Sequence, residues 1–563
     1  MSAPTIGRGD RIVGRPFASR GEIMAPNGAA ATSQPLATQV ALDILKAGGS
    51  ALDAAVAANA VLGLVEPTGA GIGGDLFALV WDPGEKRLFG YNGSGRSPAG
   101  LSLTTARSKA AENGYLPRYG AVSVSIPGCV DGWFALHGRF GRLPMSDLLA
   151  PAIRYAREGF PVTPMIAAYW REGVRVFTAL GESGVIEETD NVRAVFSRDG
   201  AAPRPGQRWT NPALAQTYEA LAAGGRDVFY KGALAQTMDA YMRRIGGWLR
   251  LEDLAAHTGD WTAPICTDYR GHTVWQLPPN TQGFSVLQML NLIEGFDLKA
   301  MGPGSADALH VMIEAKKVAY ADRARWLADP DLSPAPVEAL ISKAYADRRR
   351  AEIRMDSALS EVEAGAPPAN SDTVYLTVAD KDGMMVSLIQ SNYYNMGSGL
   401  SPDGLGFIFQ DRGALFSLQD GHANCYAPNK RPLHTIIPGF VTKDGEPWLS
   451  FGVMGGAMQP QGQVQVLVNL IDHGMNLQEA GDAARWQHFG SGTADDPTLE
   501  PGGRAAFESG IAPDVVEALR ARGHKVITAP PGYGGYQAIA WDAAQGGYRA
   551  ATEMRFDGQA AGY

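Results

Sequence analysis

An aspartate–threonine step, Asp372-Thr373, stands where Gly365-Ala366-Pro367-Pro368-Ala369-Asn370-Ser371 gives way to a segment alternating at period two, Thr373-Val374-Tyr375-Leu376-Thr377-Val378. Paired prolines can neither continue a helix nor donate to a ladder, so the stretch before Asp372 reads as a linker. If the chain is cut there, Thr373 acquires a free α-amine. Such an amine has an ordinary pKa of about 7.7–8 and can take the proton of its own side-chain hydroxyl near neutral pH. Nucleophile and general base would then be one residue. The bland alternative, a β-favouring residue opening a strand, outweighs this on Thr373 alone.

Two further groups bear on that chemistry. The strand beginning at Thr373 turns at Asp380-Lys381-Asp382-Gly383 and returns through 385–391. Pairing Ala379 with Met384 sets Gln390 opposite Thr373, and pairing Lys381 with Met384 sets Asn392 there. Ser391 lies between these limits, where a second hydroxyl could hold the attacking oxygen. Gly452-Val453-Met454-Gly455-Gly456 follows an apolar strand and precedes a helix. Its exposed backbone N–H groups suit an oxyanion, although a simple tight turn is the commoner meaning of such glycines. No GxSxG elbow, phosphate-binding GxxxxGK[ST] or HExxH occurs, and the nine histidines show no metal-ligand spacing.

The elements that must position these groups are legible in outline. Ser33 is a suitable N-cap for a helix carrying Leu36, Val40 and Ile44, which Gly48-Gly49 ends; Ser50 with Asp53 forms a capping box for a second helix to Val65. Gly69, Gly71 and Gly74 spell GxGxxG, but a helix precedes them and strands 76–81 and 87–91 follow, the reverse of a dinucleotide site. A close-packed backbone turn is the better reading. Helical patterns at 146–159, 212–223, 232–245, 306–326 and 344–363 surround a strand at 269–276. After Thr373 the pattern turns to strands, at 436–442, 448–451, 524–527 and 537–541, with helices at 464–471 and 477–486. The mixture predicts an α/β layered architecture.

Composition narrows the function. The chain has 563 residues, 45% hydrophobic, and 49 Lys+Arg against 58 Asp+Glu, a net charge of −9. A globular protein without excess cations is a poor match for nucleic acid or anionic lipid. Cys129, Cys266 and Cys425 are scattered, which fits a reducing cytoplasm. The first 20 residues have four arginines and no apolar signal-peptide core, and the longest apolar segment, 54–65, is too short to span a bilayer. A soluble protein with a flexible arm over residues 1–26 is expected.

At these residues the chain resembles the γ-glutamyltransferase family (γ-glutamyltranspeptidase, glutathione hydrolase) of N-terminal-nucleophile hydrolases, from about Asn27 to Tyr563. The likeness rests on Leu42-Asp43-Ile44-Leu45-Lys46-Ala47-Gly48-Gly49, Asp53-Ala54-Ala55-Val56-Ala57, Gly71-Ile72-Gly73-Gly74, Asp227-Val228-Phe229-Tyr230-Lys231-Gly232, Tyr320-Ala321-Asp322-Arg323, Asn429-Lys430-Arg431-Pro432-Leu433 and Ala561-Gly562-Tyr563. It implies a four-layer αββα sandwich and a proenzyme that cuts itself between Asp372 and Thr373. A large fragment, 27–372, and a small one, 373–563, would stay associated; whether copies assemble into a homo-oligomer stays open. By the same resemblance Thr373 is the nucleophile, Ser391 the supporting hydroxyl, and Gly455 and Gly456 the oxyanion hole, with no metal or organic cofactor.

The substrate-reading positions depart from the family pattern. Ser94 stands where an arginine grips the glutamyl α-carboxylate, with Arg96 two residues on. Leu415 stands where an acid pairs with the α-ammonium, Tyr393 where an asparagine follows the supporting hydroxyl, and His434-Thr435 where two serines stand. Losing one partner of a buried charged pair costs about 2–5 kcal/mol, a factor of roughly 30 to several thousand in binding. The pattern resembles the side branch containing oxamate amidohydrolase and glutathione-hydrolase-like proenzymes. Arg412 would add a cation suited to a small acidic amide, or serve a structural pairing with Asp411; His434 is equally a pocket donor or a structural imidazole. The alternatives are a true γ-glutamyl enzyme and an unprocessed, non-catalytic binding homologue.

Overall fold

The computed structural model describes residues 18–112, 114–360, 372–490, 501–528 and 532–563. Most of the expected linker, 365–371, and residues 1–17 of the expected arm therefore lie outside the described residues. The remainder of that arm is part of the fold, which corrects the boundary at 26. Ile23–Ala25 pairs with Gly547–Thr552, and Ser19 bonds Asp482.

Two seven-stranded antiparallel sheets lie face to face. One runs, edge to edge, Gln559–Gly562, Ala29–Thr32, Asp372–Ala379, Met385–Tyr393, Asp75–Asp82, Arg87–Asn92, Asp260–Thr262. The other runs Ile23–Ala25, Gly547–Thr552, Tyr536–Asp542, Glu446–Val453, Gly439–Lys443, His272–Gln276, Ile265–Tyr269. Three apolar interfaces make the layers. Strand alternation sends Tyr375, Ala379, Met385 and Ile389 into the seam between the sheets, with Phe440 and Ile539 from the opposite sheet. The other parity, Val374, Leu376, Val378 and Leu388, packs under the helices Pro35–Lys46, Ala51–Val65 and Met145–Glu158. Beyond the second sheet, Val286, Leu290, Ile313 and Leu467 from Gly283–Ile293, Ala306–Trp326 and Met458–Ile471 close the fourth layer. The expected αββα sandwich is therefore the observed fold.

Strands before and after Asp372 alternate within both sheets, so a chain cut at Thr373 would remain one folded body held by ladder hydrogen bonds. Several expected elements differ. Gln34, not Ser33, caps the first helix, accepting from Leu36 N at 2.6 Å, while Ser33 donates to Glu66. The Ser50–Asp53 capping box is present. Of the helix expected over 344–363, Lys343–Arg350 is helical and 351–360 is not, while 361–363 lie outside the described residues, and 477–486 splits into the helix Leu477–Asp482 and a strand starting at Trp486. The expected strand at 524–527 contributes one bridge, Val526 to Ala505.

Candidate active site

Asp372–Ala379 is a central strand, with Ala29–Thr32 on one side and Met385–Tyr393 on the other. The hairpin register pairs Ala379 with Met385 and Val374 with Gln390, then shifts so that Asp372 meets Tyr393. Thr373 sits at this bulge, its neighbour across the ladder being Ser391. Its Oγ1 lies 3.3 Å from Ser391 Oγ, and both residues are buried. Ser391 Oγ also accepts the Tyr393 N–H at 2.8 Å. This bond helps hold Tyr393 at φ +80°, an unusual conformation for a side chain of that size.

The glycine turn ahead of the strand Asp75–Asp82 wraps this end of the hairpin. Gly71 exchanges hydrogen bonds with the Gln390 amide, N–H to Oε1 at 2.9 Å and Nε2 to the carbonyl at 2.7 Å. A Cβ on Gly69 would sit 3.2 Å from the Thr373 nitrogen, and one on Gly74 would sit 2.3 Å from the Ser391 carbonyl oxygen. Its GxGxxG spelling thus reflects close backbone approach to Thr373 and Ser391.

The opposite sheet brings the second glycine motif to the same end. Thr377 Oγ1 bonds Ser450 Oγ across the seam at 2.7 Å, and the Tyr375 ring lies flush against Gly452, where a Cβ would be 2.5 Å from it. Two more residues back along one strand and forward along the other bring Thr373 level with Met454, directly before Gly455-Gly456. Gly455 (φ +120°) and Gly456 (φ +58°) turn the chain into the helix Met458–Ile471. Their carbonyls accept Met458 N and Gln459 N as the first helical turn. In trans peptides the Gly456 N–H opposes the Gly455 carbonyl and so points away from the helix, as the orphan donors of a helix start do.

One residue that sequence reasoning missed ties this turn down. Gln282, fully buried, donates through Nε2 to the carbonyls of Gly456 (2.9 Å) and Thr435 (2.5 Å). Thr435 Oγ1 accepts from Arg412 at 2.8 Å, and the Arg412 guanidinium lies over the Tyr393 ring at 4.4 Å. A continuous network thus runs from Gly456 through Gln282, Thr435, Arg412 and Tyr393 to Ser391 and Thr373. His434 joins it from the side. Its Nε2 is 3.0 Å from Asp75 Oδ2, and burial, reinforced by the Arg412 charge, pushes its pKa down to about 4, leaving a neutral imidazole. Asp75, also missed, faces Ser391 in the ladder and accepts from Gly95 N and Gln410 Nε2. Asp411 is buried, accepts from Tyr394 N at 3.0 Å, and burial raises its carboxyl to about 8.

Two expected site residues are engaged by other partners. Arg96 is committed to Asp329 (3.1 Å), Asp331 (2.8 Å) and the Asn429 carbonyl, so its charge is taken up in a loop clamp. Ser94 bonds Asn92 Oδ1 at 2.6 Å and Asn280 Nδ2 at 3.2 Å in a buried amide network. Leu415 is buried among Phe284, Leu327 and Leu433, and its own side chain has no carboxylate to offer an ammonium. The structure also gathers three metal-ligating types that spacing had not revealed, His310, Glu314 and His524. The two imidazoles bond each other at 2.8 Å and Lys317 pairs with Glu314 at 2.7 Å.

The sequence model described as gamma-glutamyltranspeptidase matches residues 37–563. The glutathione hydrolase-like YwrD proenzyme of Bacillus subtilis is 38% identical over 452 residues, covering 80% of this chain and 83% of that protein. The oxamate amidohydrolase proenzyme of Klebsiella pneumoniae is 34% identical over 553 residues, covering 95% and 98%. Among solved structures, cephalosporin acylase from Bacillus halodurans superposes with a TM-score of 0.88 at 42% identity, covering 100% of this chain and 99% of that one. With nearly its whole length matched, and its hairpin, glycine turns and layers arranged as described, this chain belongs to the γ-glutamyltranspeptidase family of amide-cleaving N-terminal-nucleophile enzymes.

Proposed function

We propose that this protein is a self-processing amide hydrolase whose nucleophile is Thr373, released by cleavage of the Asp372–Thr373 bond. The observation that carries the proposal is the placement of Thr373 Oγ1 beside Ser391 Oγ, at the start of a central strand. In the mature enzyme the Thr373 α-amine takes the hydroxyl proton as Oγ1 attacks the amide carbonyl. The N–H groups of Gly455 and Gly456 receive the developing oxyanion, and the protonated amine returns its proton to the departing nitrogen. Water then attacks the acyl-threonine ester with the same amine as base, regenerating the enzyme.

The substrate reading follows from charge. With Leu415 in an apolar setting, a γ-glutamyl ammonium would be buried without a partner there, whereas Arg412, Thr435 and neutral His434 suit an acidic acyl group. A small acidic amide of the oxamate kind is the substrate class we assign. The test is the intact mass of the purified protein with sequencing of any new N-terminus. By proportion of length, processing splits the 59.7 kDa chain into fragments of about 39 and 20 kDa, the smaller beginning with threonine. A folded chain that stays whole would overturn the proposal and favour a binding role.

A further inference from the structure

Connected to the Thr373–Ser391 pair through Tyr393 lies a cavity of about 300 Å³. Tyr393, whose N–H holds Ser391 Oγ, forms one wall, with Tyr394, Tyr115, Tyr119, Arg118 and Leu116 among the others. Tyr393 meets Tyr394 edge-on at 4.7 Å, Tyr119 meets Tyr394 at 6.4 Å, and Arg118 covers the Tyr394 ring at 4.3 Å. The Tyr394 side chain is almost wholly buried, yet its hydroxyl has no hydrogen-bond partner among the described residues. The hydroxyl is itself sealed from solvent, so the wall that Tyr394 gives the cavity is its aromatic ring. The volume is at the lower end for small-molecule sites and far beyond what an acyl group of about half a dozen heavy atoms fills.

We propose that this cavity is a substrate subsite for an aromatic ring, making the preferred substrate an acidic amide that also bears an aryl group. The inference rests on Thr373 being the nucleophile, because the shared Tyr393 wall is what places the ring next to the scissile bond. Tyrosine edges and faces receive the ring. Aryl groups on either half of the amide have the chemistry to fill the site, so the probes place the ring on each in turn.

The experiment compares kcat/KM for oxamate with N-phenyloxamate, which carries the ring on the amine, and for malonamate with 2-phenylmalonamate, which carries it on the acyl group. At least one ring-bearing member is expected to exceed its parent by tenfold or more. Val185→Trp, at a rim position 40% exposed, and Tyr119→Ala, which removes a wall, should each bring that ratio close to one in variants that still mature. Cleavage of the parents with no preference for a ring, or a preference that both variants keep, overturns the subsite and leaves the Thr373 reading intact. Failure to mature overturns the Thr373 reading instead. If a mature enzyme cleaves none of the four, calorimetry decides: N-phenyloxamate and 2-phenylmalonamate both binding no tighter than their parents overturns the subsite, and tighter binding lost in both variants supports it.

Discussion

Thr373 and Ser391 face each other across a bulged hairpin, their hydroxyl oxygens 3.3 Å apart. An unbulged ladder would pair them as ordinary neighbours. Here the register shifts between Asp372 and Val374, and the Tyr393 N–H donates to Ser391 Oγ. The hairpin is therefore built to hold one hydroxyl against another at the end where the chain would be cut.

Replacing Thr373 separates nucleophile from scaffold. Thr373→Ala should yield a single uncut chain without amidase activity, while Thr373→Ser, which keeps Oγ, should mature slowly and retain measurable turnover. Gel mobility and intact mass read the first effect and a coupled ammonia assay the second. An alanine variant that still divides into two fragments contradicts the assignment.

Ser391→Ala removes the acceptor of two hydrogen bonds, one of them from the buried Tyr393 N–H, at a cost of about 1–3 kcal/mol. The expected kinetic signature is a fall in kcat of roughly tenfold to a hundredfold with KM little changed, because Ser391 touches the nucleophile and not the substrate. Ser391→Thr should recover part of the loss. A pure KM effect would place Ser391 in binding.

Gln282→Leu tests the oxyanion turn from behind. It strips one donor from the carbonyls of both Gly456 and Thr435 while preserving bulk. Removing a direct oxyanion donor typically costs 10²–10³ in kcat, so loosening the loop that carries two should cost about ten- to a hundredfold. Maturation should slow in parallel if the same turn stabilises the self-cleavage intermediate, which time-resolved gels would show. An unaltered kcat would mean that the Gly455-Gly456 geometry is fixed without Gln282.

The hairpin could be bounded from sequence because period-two alternation and a short turn leave only a few registers, and Ser391 fell inside them. The glycine pair was equally visible as a strand-to-helix turn. Gln282 and Asp75 were not, since each works through a partner distant in the chain, and a lone buried amide or acid has no periodic signature. A Gly73-Gly74-Asp75 step entering a strand was the one available hint for Asp75. Arg96 misled because proximity along the chain to Ser94 says nothing of the acidic loop at Asp329 and Asp331 that captures it. Helix ends at Arg350 and Asp482 were overrun for a related reason: helical propensity continues past the point where tertiary contacts stop the helix.

Substrate choice should follow charge. A γ-glutamyl anilide is expected to be cleaved far more slowly than a small acidic amide, by a factor of roughly 30 or more, because its ammonium finds Leu415 in place of an acid. Arg412→Met should depress kcat/KM for the acidic amide while narrowing that gap. Efficient release from the γ-glutamyl compound by the wild-type enzyme would mean that another buried acid, Asp411 being the nearest in sequence, has taken over the ammonium.

Stability should respond to pH through Asp411 and His434 in opposite ways. Burial raises the Asp411 carboxyl to about 8, so between roughly pH 4 and 8 the folded protein keeps a proton that the unfolded chain has released. Its contribution is fully present below the unfolded pKa and is lost as pH rises through 8. Burial lowers His434 to about 4, so its contribution is present above about 6.5 and is lost as pH falls through 4. Thermal midpoints measured from pH 4 to 9 should therefore show Asp411→Asn gaining on the wild type as pH rises, since asparagine can still accept from Tyr394 N without the charge. His434→Gln should instead flatten the acidic limb. Curves that run parallel to the wild type for both variants would show that neither group carries a perturbed proton.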